Sequence, residues 1–321
     1  VEFNLMTPEF NLIKQYFTRS TRNTDLGVGD DAALISLSAG MELAISTDML
    51  VAGTHFFADC DAYLLGWKSL AVNVSDMAAM GANPKWATLA IALPEINNIW
   101  LAAFSNGFFA CAEEFNIDLI GGDTTRGPLT ISIQIMGEVP SGKAIKRSGA
   151  KIDDDIWVSG KLGDAAMALA RIQGKLSLPD HTVINCTQAL HAPQPRVELG
   201  LTLRGLANSA IDISDGLLAD LGHILEQSHV GAQLKLSSIP HSPFADLCDK
   251  NILKMVLAGG DDYELCFTTP VSKHSEILKL SETLGIPISH IGQITSNTDL
   301  IILGLNGEIL EFTETGFDHF S

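Results

Sequence analysis

Carboxylates recur in this 321-residue chain where it turns out of apolar runs: Asp30 and Asp31, Asp48, Asp123, Asp212 and Asp215, and Asp261 and Asp262. Most stand beside glycine, serine or threonine. One such aspartate has a plain local role, because its short side chain hydrogen-bonds backbone amides in turns and at helix N-termini. Five clusters in one chain ask for more. Brought together they would repel one another unless cations lay between them, and hard oxygen ligands of this kind select magnesium or calcium over zinc. The reading is a site for several divalent ions.

Two stretches sharpen it. Leu119-Ile120-Gly121-Gly122-Asp123-Thr124-Thr125-Arg126-Gly127 leaves an apolar strand into two glycines, which permit close backbone approach to a ligand, then offers an acid and a guanidinium. Ser209-Ala210-Ile211-Asp212-Ile213-Ser214-Asp215-Gly216 ends a strand on Asp212 and places Ser214 and Asp215 at a helix entrance, where backbone amides favour anions. Ser75-Asp76 reads equally as a helix cap ahead of residues 77–80 or as a further ligand. Gly27-Val28-Gly29-Asp30-Asp31-Ala32 imitates a dinucleotide loop but precedes a strand rather than a helix, the wrong order for holding pyrophosphate. The sequence carries no phosphate loop of the G-x-x-x-x-G-K-[ST] kind, kinase catalytic loop, H-E-x-x-H helix or G-x-S-x-G elbow.

The elements that must position these residues read as mixed α/β. Periodicity predicts helices at 8–16, 62–79, 99–114, 164–173, 196–207, 216–228 and 249–258. Strands are predicted at 32–37, 41–47, 86–92, 117–120, 129–138, 156–159, 210–213, 233–236 and 264–268. A polar stretch separates 173 from Pro195, and nothing is assigned beyond 268. Residues 140–149, poor in large apolar side chains, read as a linker between an N-terminal domain, 6–139, and a C-terminal domain, 150–321. Strand-then-aspartate occurs in both, which points to related domains facing a shared cleft. Residues 1–5 partly echo residues 9–12 and read as a non-native leader ahead of Met6.

Composition, 46% hydrophobic and 18% charged, is that of a globular protein with a large core. A net charge of −18 argues against nucleic acid or an anionic membrane as partner, since both require a basic footprint. It leaves phosphorylated small molecules open, because metal ions on a carboxylate cluster reverse the local sign. There is no apolar run of spanning length and no signal-like start, so a cytoplasmic location is expected. The five cysteines, widely spaced and without a C-x-x-C pair, read as buried reduced thiols.

In order along the chain, Gly29-Asp30-Asp31-Ala32, Ser46-Thr47-Asp48, Asn73-Val74-Ser75-Asp76-Met77-Ala78-Ala79-Met80-Gly81, Gly121-Gly122-Asp123-Thr124, Arg147-Ser148-Gly149-Ala150 and Asp212-Ile213-Ser214-Asp215-Gly216 resemble the thiamine-monophosphate kinases. More distantly the chain is similar to the superfamily of aminoimidazole ribonucleotide synthetase and selenophosphate synthetase. No reactive cysteine precedes the first acidic loop, which disfavours the selenophosphate enzyme.

The resemblance implies a two-domain α/β (α+β) fold of the aminoimidazole ribonucleotide synthetase type, with mixed sheets and flanking helices. It implies a homodimer formed through the N-terminal domains, with the site in the cleft between domains and dimer. It also implies transfer of the ATP γ-phosphoryl group to thiamine monophosphate, assisted by several Mg2+ ions. Carried over by position, Asp31, Ser46, Thr47, Asp48, Asp76, Asp123, Asp212 and Asp215 form the metal shell. Gly122, Asp123, Arg147 and Ser214 contact ATP, and Asp76, Asp123, Asp212 and Arg147 carry the catalysis. His55, Asp261 and Phe317 contact thiamine monophosphate. Without the resemblance His55 reads as a turn histidine and Phe317 as terminal packing; a stacked aromatic would suit the cationic thiazolium. Asp261 departs from the family's usual Gly-Gly-Glu-Asp-Tyr-Glu by one methylene, so a direct contact there needs a backbone shift or a water. The competing readings are an aminoimidazole ribonucleotide synthetase-like enzyme and a non-catalytic acidic metal- or nucleotide-binding module.

Overall fold

The computed structural model describes residues 7–312 and Gly316. The leader read at residues 1–5 and the candidate Phe317 lie outside the described residues. The chain divides into two compact units, one built from residues up to Met77 and from 82–142, the other from Ala78–Gly81 and the residues from Lys143 onward.

In the first unit the order is α1 (Pro8–Leu12), β1 (Met41–Val51), α2 (Ala62–Ala79), β2 (Asn83–Leu93), α3 (Asn98–Glu114), β3 (Asp118–Arg126) and β4 (Thr130–Pro140). The strands make one sheet in the order β1-β4-β2-β3, antiparallel except for the parallel β2–β3 pair. Leu70, Val74, Phe104 and Phe108 are fully buried in this unit. The two long helices touch backbone to backbone: a Cβ on Gly66 of α2 would collide with the Phe104 carbonyl, and one on Gly107 of α3 with that of Tyr63.

Residues 32–37, predicted as a strand, form a loop closed by a single bridge between Leu26 and Leu34. Their apolar alternation serves packing rather than pairing: Ala33 and Ile35 lie against Trp86, Ile120 and Met136. The strand predicted at 117–120 runs on through both glycines to Arg126, because β2 continues beside it as far as Leu93.

The second unit holds β5 (Asp155–Ser159), α4 (Asp164–Ile172), α5 (Asp180–His191), α6 (Val197–Leu203), β6 (Ser209–Asp212), α7 (Leu217–Ser228), β7 (Gly231–Lys235), α8 (Lys250–Ala258), β8 (Leu265–Thr269), α9 (His274–Leu284), β9 (Ile288–Thr295) and β10 (Leu300–Leu303). Its sheet runs β10-β7-β9-β5-β8-β6. Ile156 and Val158 of β5 join Ile211, Leu221 and Ile224 in one core, so period-two alternation sends Trp157 to the opposite face. The polar stretch before Pro195 contains α5, whose buried Thr182, Cys186 and Leu190 repeat every four residues. A stripe so narrow is easily read as loop. Past Thr268, where no element is predicted, the chain adds α9, β9 and β10.

Candidate functional site

In the first unit, β1 alternates. Ser46 and Asp48 lie on one face, and Thr47 points to the other with Ile45 and Met49, which are 55% and 57% exposed. Ser46 Oγ donates to Asp76 Oδ2 at 2.6 Å, and the Asp48 backbone amide donates to Asn73 Oδ1 at 3.1 Å. Asn73 and Asp76 sit three apart on α2, hence on one side of it. Asn73, fully buried, is fixed by donating to the Ser69 carbonyl at 3.0 Å. Asp76 therefore lies inside a helix, not at its cap. Ser46, Asp48 and Asp76 are brought together; the side chain of Thr47 is not.

Asp31 is exposed in the loop that the Leu26–Leu34 bridge closes, and its amide donates to Asp30 Oδ1 at 2.9 Å. That loop is tied down at its base by Asp118, whose carboxylate accepts from the Arg22 and Asn23 amides and from Thr24 Oγ1 at 2.6–3.0 Å. Asp123 is exposed on β3, opposite Ala90, with two strands between it and β1. The glycine before it has a structural reason: at φ +151° a Cβ on Gly122 would strike the Leu89 carbonyl of β2. His55 closes the turn after β1, where its Nδ1 accepts from the Val51 amide at 3.0 Å.

In the second unit, Asp212 ends β6 at 5% exposure, and Ser214 and Asp215 follow before α7. The Asp261 amide donates to the Ser214 carbonyl and the Tyr263 amide to that of Ile213, both at 2.8 Å. The acidic loop is thereby laid along Ser214, and Asp261 takes a left-handed φ of +71°. The amides expected to receive an anion are already taken by a side-chain carboxyl group. Ser214, Asp215 and Gly216 all donate to Asp220 Oδ2 at 3.0–3.1 Å. Burial and the Asp215 carboxylate raise the Asp220 pKa to about 7 against those donors. Arg147 is exposed ahead of Gly149 and Ala150, whose amides donate to Ser228 Oγ.

The donors around Asp48 and Asp76 are all oxygen. Such a set fits Mg2+, which takes one or two protein carboxylates and completes its shell with water and phosphate oxygens. Among the described residues these aspartates do not gather in threes.

Residues 29–139 match the family model of the AIR synthase related protein N-terminal domain, and residues 143–303 that of its C-terminal domain. The sequence is 44% identical to the thiamine-monophosphate kinase of Escherichia coli (strain K12), over 98% of each chain. The crystal structure of thiamine-monophosphate kinase from Stenotrophomonas maltophilia K279a superposes with a TM-score of 0.83 at 45% identity, covering 90% of this chain and 92% of that one. The chain belongs to the thiamine-monophosphate kinase family. AaThiL complexed with AMPPCP and TMP, a further solved structure, superposes with a TM-score of 0.75 at 28% identity, over 90% of this chain and 91% of that one.

For a thiamine-monophosphate kinase family member, three features of the site went unread in the sequence. Asn73, read in the sequence only as part of the stretch around Asp76, positions Asp48 through its side-chain amide. Glu264 receives Arg196 through Nε at 2.7 Å and through Nη2, with Ser159 Oγ donating to the same carboxylate. Asp220 occupies the amides ahead of α7; its position four residues after Gly216 was the available signal. The thiols divide, with Cys111, Cys186 and Cys266 buried, Cys60 partly so and Cys248 exposed. Not all five are buried, as the composition led us to expect.

Proposed function

We propose that the chain phosphorylates thiamine monophosphate with ATP, giving thiamine diphosphate and ADP. The observation that carries this is the 44% identity to the E. coli thiamine-monophosphate kinase over 98% of both chains. The ATP analogue and TMP held by AaThiL indicate the two substrates. The acceptor is already an anion, so no side chain need remove a proton; the demand is alignment and charge neutralisation. Mg2+, when bound, would supply that neutralisation.

The chain's own residues would act as follows. Asp48 and Asp76, with the Ser46 hydroxyl, would hold a metal from the first unit; Asp31 and Asp123 would contribute from exposed positions, and Thr47 through its backbone. Asp212 and Asp215 would serve as ligands in the second unit. Gly122, Arg147 and Ser214 would receive ATP, and His55, Asp261 and Phe317 would receive thiamine monophosphate. With Nδ1 accepting from the Val51 amide, a neutral His55 carries its proton on Nε2. A homodimer would use the outer face of β1, an edge strand showing Ile45 and Met49. We propose a cytoplasmic location, where ATP is at hand; separately, no helix among the described residues is long and apolar enough to cross a membrane.

The test is ADP release. It should require thiamine monophosphate and magnesium together, and free thiamine should be a poor acceptor because it lacks the phosphate to be held. Comparable release with free thiamine, or turnover of formylglycinamidine ribonucleotide instead, would overturn the reading. Protein incubated with γ-labelled ATP alone and then denatured should carry no label, since direct transfer forms no phosphoenzyme.

A further inference from the structure

The second unit contains a cluster to which the proposed phosphoryl transfer assigns no role. Asp155 opens β5 with its side chain only 2% exposed. His274, first residue of α9, places Nδ1 2.7 Å from Asp155 Oδ2, and His290 of β9 places Nε2 3.2 Å from Oδ1. The three ligand atoms lie within 4.8 Å of one another. Two imidazoles thus converge on one buried carboxylate.

The strand register explains how they meet. β9 carries a bulge opposite the step from Ile156 to Trp157, so that His290 pairs with Trp157 and Gln293 with Asp155. Without the extra residue, His290 and Gln293 would point to opposite faces; with it, both join the Asp155 side. Gln293 Nε2 donates to Asp155 Oδ1 at 3.3 Å and orients the carboxylate. Trp157 walls the cluster, its ring 4.7 Å from His274 and 5.1 Å from His290 between centroids. The neighbouring cation Lys273 is turned away to Glu276 at 2.8 Å.

His290 Nε2 is the second observation. It is shut off from solvent and has no hydrogen-bond partner, although an Asp155 oxygen lies only 3.2 Å away. Proximity without hydrogen-bond direction is the arrangement of two atoms aimed at a third. Two nitrogens and one carboxylate oxygen are the donors of zinc-type ions, whose tetrahedral ligands at about 2.0–2.2 Å from the metal stand about 3.4 Å apart. Magnesium and calcium prefer all-oxygen shells. The imidazoles, 38% and 31% exposed, leave a way in and a fourth position for water.

We propose that Asp155, His274 and His290 bind a zinc-class transition metal that ties α9 to β5 and β9, separately from the magnesium of the phosphoryl-transfer site. Full-length protein stripped by chelator and returned to excess magnesium is titrated with Zn2+ by calorimetry, and with Co2+ followed by visible absorption. One ion per chain, a tetrahedral cobalt spectrum and a zinc-dependent rise in the melting midpoint are expected. His274→Gln and His290→Gln, at partly exposed positions, should each weaken zinc on the order of 10²-fold, at or beyond the upper end of the range for outer-shell partners, and abolish the midpoint rise. No zinc bound by the wild type at one equivalent overturns the proposal. So does equal binding by both variants, which would put the ion on aspartates or cysteines elsewhere.

Discussion

Glu264→Gln removes one charge and almost no volume from the best-built ion pair in the second unit. The Glu264 carboxylate is 8% exposed and Arg196 is 24% exposed. The guanidinium meets both carboxylate oxygens, and Ser159 Oγ donates to one of them. Burial works to lower the Arg196 pKa, and the hydrogen-bonded Glu264 more than reverses it; in the variant the intrinsic basicity of arginine keeps the guanidinium charged. Two unit charges about 4 Å apart at an effective dielectric of about 20 attract by about 4 kcal/mol. A stranded partner in a buried pair costs about 3–5 kcal/mol. The two routes agree. For a cooperative unit of about 150–250 residues, at about 2–4 °C per kcal/mol, the melting midpoint should fall on the order of 10 °C. The assay is thermal or urea unfolding followed by circular dichroism, without substrates. Arg196→Met combined with Glu264→Gln should recover much of the loss, because no uncompensated charge remains. A Glu264→Gln loss below about 1 kcal/mol would show the pair to be solvated and would refute the reasoning.

Much of the fold was legible because its signals are local. The apolar repeats of α2 and α3 and the alternation of β1 and β4 appear directly in the residue order. What failed depended on distant partners. Residues 32–37 alternate like a strand but spend Ala33 and Ile35 on packing against Trp86, Ile120 and Met136 rather than on pairing with a strand of the sheet. Gly121-Gly122 looks like the end of a strand because what Gly122 accommodates, the Leu89 backbone, lies 33 residues away in the sequence. The candidate site was legible as residue types, since aspartate beside glycine and serine marks turns and metals alike. Its geometry was not. That Ser46 meets Asp76, and that Asp220 claims the amides ahead of α7, follows from packing that no local pattern encodes.

Three further outcomes are expected. Asp76→Asn keeps an acceptor for Ser46 Oγ but loses the ligand charge, so turnover should fall on the order of 10²-fold or more with the melting midpoint unchanged; near-normal turnover would remove Asp76 from the metal shell. Asp220 has a folded pKa of about 7 against about 3.9 unfolded, so its contribution to stability is complete below about pH 4 and is lost as pH rises toward 7. In chelator-treated protein, Asp220→Asn should therefore flatten the decline in unfolding free energy between those limits, and an unchanged slope would show that the three amides keep Asp220 ionised throughout. For Asp261 the left-handed backbone separates two roles that alanine would confuse, because alanine both removes the carboxylate and strains φ at +71°. Asp261→Gly removes the carboxylate and keeps the conformation at no steric cost. If the carboxylate contacts thiamine monophosphate, this variant should raise KM for that substrate severalfold while KM for ATP and the melting midpoint hold. If Asp261 only shapes the loop laid along Ser214, all three quantities should stay at wild-type values, and recognition would rest on His55, Phe317 and the metal-held phosphate.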